Sequence, residues 1–282
     1  MTNHCVVCRK ESGFDPVWPG LIRCRECGQG RADLEIESLD LKEIYSQSYF
    51  QGEEYVDYLR DRHVFEKQSQ DRLRKVIRFK QSGNLIEIGC AYGFFLEAAR
   101  KHFSVRGFDI AEGPVTYARN ELGLDACCED FKEISCFPQS ADVAAMWDTI
   151  EHLPAPDFTT DAIAGALRPG GYLFLTTGDL DSLMARRRRG KWRLFHPPTH
   201  LHYFSKRTIG PFLRSSGLEV IRVSYPSMPR SVRQIAYSAL QLGKARPSKL
   251  YNMISESRLA DLSVRLNTFD IMMVVAQVSG AP

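Results

Sequence analysis

Between residues 83 and 178 the apolar positions fall into short runs of strand length, separated by longer stretches in which they recur every three or four residues. This pattern predicts strands over residues 85–89, 105–109, 124–128 and 142–147, with helices over 94–102, 114–122 and 158–167. Pro169, Gly170 and Gly171 then turn the chain into a further strand over 172–177. Strand and helix in strict alternation imply right-handed crossovers and an α/β fold, a Rossmann-like parallel sheet with helices on both faces. Upstream, Leu59, Phe65, Leu73, Val76 and Ile77 have roughly helical period and predict a helix over 57–79. Downstream the rhythm changes. A helix over 206–215 and a strand over 218–225 precede about 40 mainly helical residues, and an apolar strand over 269–278 is expected to slot antiparallel into the sheet edge.

At 282 residues with 44% hydrophobic and 25% charged side chains, the chain has a full core available to it and disorder is not its main state. The longest apolar run, residues 271–276, is far short of the ~18 residues of a membrane helix. The N-terminus has no apolar signal core, so the chain is expected in the cytoplasm. A net charge of +3 is too small to argue for nucleic acid or membrane by itself.

Eight cysteines divide into two sets. Cys90, Cys127, Cys128 and Cys136 lie in apolar stretches and read as core. Cys5, Cys8, Cys24 and Cys27 form C-x2-C-x15-C-x2-C, the spacing of a structural four-sulfur zinc site made of two knuckles, with Pro16, Pro19 and Gly20 turning the chain between them.

The segment Leu85-Ile86-Glu87-Ile88-Gly89-Cys90-Ala91-Tyr92-Gly93 runs from a strand straight into a helix. Small residues there let the backbone turn sharply and approach a ligand at the helix N-terminus. Phe94 breaks the dinucleotide fingerprint and no phosphate loop is present. What remains, E-x-G-x-A-x-G, resembles the first motif of the class I S-adenosylmethionine (SAM) methyltransferases, with Ala91 where the family usually has Gly. Trp147-Asp148-Thr149-Ile150-Glu151-His152-Leu153 is similar to the family's D-x-I-E-H-L, and residues 167–171 match its L-x-P-G-G. The resemblance covers residues 83–178 in order and implies the seven-stranded methyltransferase sheet, with SAM held by Glu87, Gly89, Ala91, Gly93, Asp109, Ile110, Asp130, Phe131, Trp147 and Asp148. Within it, Glu87 lies near the methionine moiety, Asp109 accepts from the ribose hydroxyls, and Asp130 and Phe131 take the adenine. In some quinone-related members the pair equivalent to Glu151 and His152 touches a metal; transfer to a hydroxyl is expected to need none here.

A second constellation, from His196 through His200 and His202 to Tyr203, Phe204 and Ser205, follows the fifth strand of the core. It resembles the E-H-x-x-Y-F-S segment of bacterial nucleotide-sugar C-methyltransferases, which also begin with a four-cysteine zinc module and use that histidine as a base; Thr199 stands where they have Glu. The resemblance makes His200 the expected base, with His202 the second candidate, and His152, His196 and Tyr203 the expected acceptor contacts. The run Arg186 to Arg189 is either a solvated face or a grip on phosphate, to which Arg187 would contribute, and Trp192 beside it could stack on a sugar or base.

The expected organisation is a zinc module (1–33), an N-terminal helical lid with Tyr45, Tyr49, Phe50 and Tyr55 (34–82), a SAM-binding core (83–225), a helical insertion over the acceptor site with Met228, Arg230, Arg233 and Tyr237 (226–267), and the last strand (268–282). The leading reading is a SAM-dependent methyltransferase for a sugar, glycan or other small phosphorylated metabolite, with oxygen the favoured atom. An RNA methyltransferase is the rival, against which the low net charge and the absence of an N-P-P-Y motif weigh. A non-catalytic scaffold with a protein-binding zinc module is the third, disfavoured by the intact Asp109 and glycine loop.

Overall fold

The computed structural model describes residues 4–40, 44, 58–129, 139–240 and 248–279. The chain opens with two short strands, β1 (His4–Cys5) and β2 (Lys10–Glu11), followed by β3 (Phe14–Trp18), β4 (Leu21–Cys24) and β5 (Gly30–Ala32). Gly20, at φ +85°, makes the tight β3–β4 turn, while Pro16 lies within β3. Helix α1 (Arg62–Val76) leads to the core. There β6 (Gly83–Ile88), α2 (Phe94–Ala99), β7 (Phe103–Asp109), α3 (Glu112–Asn120), β8 (Ala126–Cys128), β9 (Ala141–Trp147), α4 (Pro156–Ala166) and β10 (Leu167–Gly178) alternate. Next come α5 (Leu183–Arg188), β11 (His202–Tyr203), α6 (Ile209–Arg214), β12 (Leu218–Ser224), β13 (Met228–Ser231), α7 (Val232–Leu240), α8 (Lys249–Ser255), β14 (Ser263–Leu266) and β15 (Ile271–Val278).

Seven strands form the central sheet in the order β12-β15-β10-β9-β6-β7-β8. β10, β9, β6, β7 and β8 are parallel, and β15 runs antiparallel to both of its neighbours. The last strand is therefore inside the sheet rather than at its edge. Its residues from Ile271 to Ala276 are all buried, and a strand that is apolar on both faces has to be covered on both. One face of the sheet packs Leu85, Val143, Ala145 and Phe174 against Leu73 and Val76 of α1 and Phe95 and Leu96 of α2. The other packs Ile86, Ile88 and Met146 against Ile163 of α4 and Phe212 of α6, together with Cys5, Val6, Val7 and Phe204. Each Val, Leu, Ile, Phe or Met side chain among these contributes roughly 1.5–3 kcal/mol when fully buried.

Two attachments decide where the site sits. β5 pairs with β11, with Arg31 opposite His202 and Gly30 opposite Tyr203, so the cysteine segment and the histidine loop share a four-stranded sheet. A Cβ on Gly30 would lie 2.5 Å from Leu180 Cδ2, so this close approach requires glycine. The second attachment joins the insertion to α1. The insertion is not helical throughout, because β13 and β14 form a hairpin that brackets α7 and α8. Gln68 of α1 donates to the Pro229 carbonyl at 2.8 Å, and Arg233, 1% exposed, donates to Asp61 at 3.1 Å. Among the described residues no helix is long and apolar enough to cross a membrane.

Candidate active site

The loop after β6 holds an unusual backbone: Gly89, Ala91 and Gly93 have φ of +75°, +45° and +78°. Only glycine takes this region without strain, so Ala91 needs restraint. Asp109, at the end of β7, supplies it. Its Oδ2 accepts from the Ala91 N–H at 2.8 Å and its Oδ1 from the Ala111 N–H at 2.9 Å, tying the glycine loop to the start of α3. Burial raises the Asp109 pKa, and the backbone N–H groups pull the other way. Glu87 is 3% exposed and its Oε2 has no hydrogen-bond partner among the described residues. Burial pushes its pKa well above the carboxylate range, although the Arg72 charge opposes this. An orphaned buried oxygen at a strand end, beside a strained loop and a second carboxylate, fits the amino group and ribose of a SAM molecule. Asp130 and Phe131, like Tyr45, Tyr49, Phe50 and Tyr55, lie outside the described residues.

At the end of β9, Asp148 has φ +54°, and its carboxylate accepts from Arg72 at 2.6 Å and from the Thr176 hydroxyl at 2.9 Å. The Arg72 guanidinium also lies 5.0 Å from the Trp147 ring centroid, and Phe95 meets that ring edge-on at 5.1 Å. Sequence reasoning missed Arg72. Its signal was available, since Phe65, Gln68, Ser69, Arg72 and Val76 follow helical period along one face of α1.

Arg72, Trp147, Asp148, Glu151, His152 and His200 line one cavity of about 140 Å³, closed from the other side by Arg230, Gln234 and Tyr237 of the insertion. A backbone carbonyl can only accept, so the 2.8 Å contact from His200 Nδ1 to Leu194 O places the proton on Nδ1 and the lone pair on Nε2. The same holds for His152, whose Nδ1 donates to Thr199 O at 2.8 Å. The two rings meet edge-on at 4.5 Å, and His196 lies 3.9 Å from His200. Burial, then the neighbouring His196 and His152, holds the His200 pKa well below the usual histidine value; burial pushes His152 down to about 4. Both are therefore neutral at cellular pH.

The other expected residues are placed differently. His202 is 2% exposed and donates Nε2–H to Pro154 O at 3.3 Å, so it braces the loop and does not line the cavity. Tyr203 is buried and donates its hydroxyl to His200 O at 3.0 Å, so it holds the backbone of the histidine loop rather than an acceptor. Trp192 is 2% exposed and gives its indole N–H to Asp270 at 2.9 Å, which leaves no ring face for stacking. Arg187 is exposed and does not line this cavity. His196 Nδ1 lies 2.5 Å from the Thr199 hydroxyl, which itself donates to His196 O, so Thr199 shapes the turn before His200.

Among the described residues, two groups of side chains could hold a metal ion. Donor atoms of Glu151, His152 and His200 lie within 4.8 Å of one another, as do the four sulfurs of Cys5, Cys8, Cys24 and Cys27. Cys5 and Cys27 are 3.5 Å apart and Cys8 and Cys24 are 3.8 Å apart. Sulfurs about 2.3 Å from a shared tetrahedral ion are separated by about 3.8 Å, so the four thiols fit zinc.

The ubiquinone biosynthesis O-methyltransferase of Coxiella burnetii is 29% identical over 100 residues, 33% of this chain and 43% of that enzyme, so the chain matches less than half the length of this relative. A SAM-dependent methyltransferase from Archaeoglobus fulgidus superposes with a TM-score of 0.53 at 17% identity, over 78% of this chain and 98% of that one. One from Methanosarcina mazei does so at 0.51 and 16%, over 73% and 98%. At such identities these likenesses speak for the fold alone. The profile of the methyltransferase domain family matches residues 58–223, more than half of the sequence and the span that carries the glycine loop, Asp109 and the cavity strands; the chain belongs to this family.

Proposed function

We propose that this protein transfers a methyl group from SAM to an oxygen of a sugar or other small phosphorylated acceptor, with His200 as general base. The observation that carries the reading is the fixed tautomer of His200, whose Nε2 lone pair is left for the cavity that Trp147 and Asp148 border at the strand ends. SAM supplies the methyl group on a sulfonium, which is already a good leaving group. Glu87 and Asp109 would hold its amino and ribose groups, and Asp109 keeps the loop beneath it in its strained form. His200 takes the acceptor's hydroxyl proton on Nε2 as the oxygen gains the methyl group, and its depressed pKa keeps that nitrogen open at neutral pH. Arg72 holds the Asp148 carboxylate and the Trp147 ring in place. We also propose that Cys5, Cys8, Cys24 and Cys27 hold a structural zinc ion, which keeps the thiols reduced and suits a cytoplasmic protein. The name of the Coxiella relative, an O-methyltransferase of ubiquinone biosynthesis, supports oxygen as the accepting atom and adds a quinone-related hydroxyl as a second acceptor class.

The test is transfer of labelled methyl from SAM to nucleotide-sugars, sugar phosphates and catechols. Turnover is expected with the first two groups, and it should fall in His200→Ala by about 10²- to 10⁴-fold. Transfer confined to catechols would establish the second class. Activity lost to EDTA and restored by a magnesium or manganese ion would make Glu151, His152 and His200 a metal site and overturn the base assignment.

A further inference from the structure

A second cavity, of about 390 Å³, opens beside the acceptor cavity and shares Arg193, Arg230 and Gln234 with it. The two differ in charge. Asp61, Asp148 and Glu151 line the inner cavity, whereas among the described residues no carboxylate lines the outer one, which adds Arg188 and Lys191 to the shared arginines. Arg193 is neutralised by Asp270 at 2.8 Å. Arg188 and Lys191 have no acidic partner among the described residues. Both belong to the segment from residue 186 to 193, which is fastened to β15 because buried Asp270 accepts from Trp192 and Arg193 together. The basic run is thus held at the cavity mouth, with Met184 and Met228 forming an apolar wall beside it.

We infer that this outer cavity is a subsite for a phosphate or diphosphate ester, with Arg188 and Lys191 as the principal anion contacts and Arg230 between the two chambers. The inference rests on the methyltransferase reading and extends it: the methylated end of the acceptor occupies the histidine cavity, and its anionic ester lies outside. A cavity of a few hundred Å³ has the usual volume of a small-ligand site, and two uncompensated cations match the about −2 charge of a phosphate monoester or a diphosphate diester. Free electrostatic capacity and an apolar wall together select an ester with a further group attached, either a nucleoside or a lipid chain.

The experiment is calorimetric titration of the whole chain with inorganic pyrophosphate, UDP and geranyl diphosphate, each with S-adenosylhomocysteine present. Saturable pyrophosphate binding is expected, weakening as salt is raised and weakened roughly tenfold or more in the Arg188→Gln/Lys191→Gln double variant. Both positions are exposed, and thermal unfolding of the variant checks that the fold is kept. UDP binding more tightly than pyrophosphate would assign a nucleoside to the apolar wall; tighter geranyl diphosphate would assign a lipid chain; either supports the subsite. No saturable binding of any of the three, or binding equal in the double variant, overturns it. Titration of S-adenosylhomocysteine alone reports separately on the cofactor half, so a failure of the methyltransferase reading shows there and not in the pyrophosphate arm.

Discussion

Two residues show how single positions are set by partners distant in sequence. Ala91 stands in the left-handed region because Asp109 holds its N–H. Ala91→Gly should relieve about 1 kcal/mol of strain and raise the unfolding midpoint by about 2 °C, with affinity for S-adenosylhomocysteine unchanged; thermal scans and calorimetry check both. At His200, a histidine with an ordinary pKa would give a rate that rises through about pH 6.5. Burial beside two other imidazoles moves that limb to lower pH, so turnover should be flat across the neutral range and fall only in acid. In His200→Ala the acid limb should vanish along with most of the rate, whereas His202→Ala should lower stability more than rate. The H-x-x-Y-F-S resemblance made His200 legible in the sequence. It ranked His200 ahead of His202, but the physical difference, which ring faces a cavity built from residues 72, 147 and 230, is set by the fold. Trp192 departs from its sequence expectation for a related reason. Its neighbours are basic, and the acceptor of its N–H, Asp270, lies 78 positions away.

The central parallel strands were legible because their residues are apolar on both faces and glycine turns punctuate them. The β13–β14 hairpin was not. Ser231 pairs with Ser263 across an insertion, and strands of four residues with serine and arginine among them carry no clear period. What keeps the insertion over the cavity is the buried pair of Asp61 and Arg233, with Ser231 donating to the same carboxylate at 3.2 Å. Asp61→Ala would leave a buried guanidinium without that partner and should cost about 3–5 kcal/mol, with hydrogen exchange rising first in residues 228–240. The pairing of β5 with β11 makes a comparable prediction for the cysteine segment. Chelation of the proposed zinc should raise exchange in residues 196–205 as well as 4–32, while affinity for S-adenosylhomocysteine stays within a factor of about two. Protection of the histidine loop that survives chelation would show the two sheets to be independent.

Across the whole molecule the neutral histidines couple stability to pH. Burial holds His152 and His202 at about 4, against about 6.5 in the unfolded chain, so the unfolded state binds more protons between these values. Stability should therefore be full above about pH 6.5 and decline as pH falls towards 4, by about 3 kcal/mol for His202 alone. The slope of the unfolding midpoint against pH should be shallower in His202→Gln. In the proposed reading cofactor recognition lies at the strand ends and acceptor recognition on the histidine loop and insertion, so the two halves can be measured separately. Calorimetric titration of the wild-type chain and Asp109→Ala with S-adenosylhomocysteine asks directly whether the strand ends bind the cofactor. One saturable site per chain is expected, with affinity roughly 10- to 100-fold weaker in Asp109→Ala. Absence of saturable binding to the wild type, or equal affinity in the two proteins, would contradict this expectation.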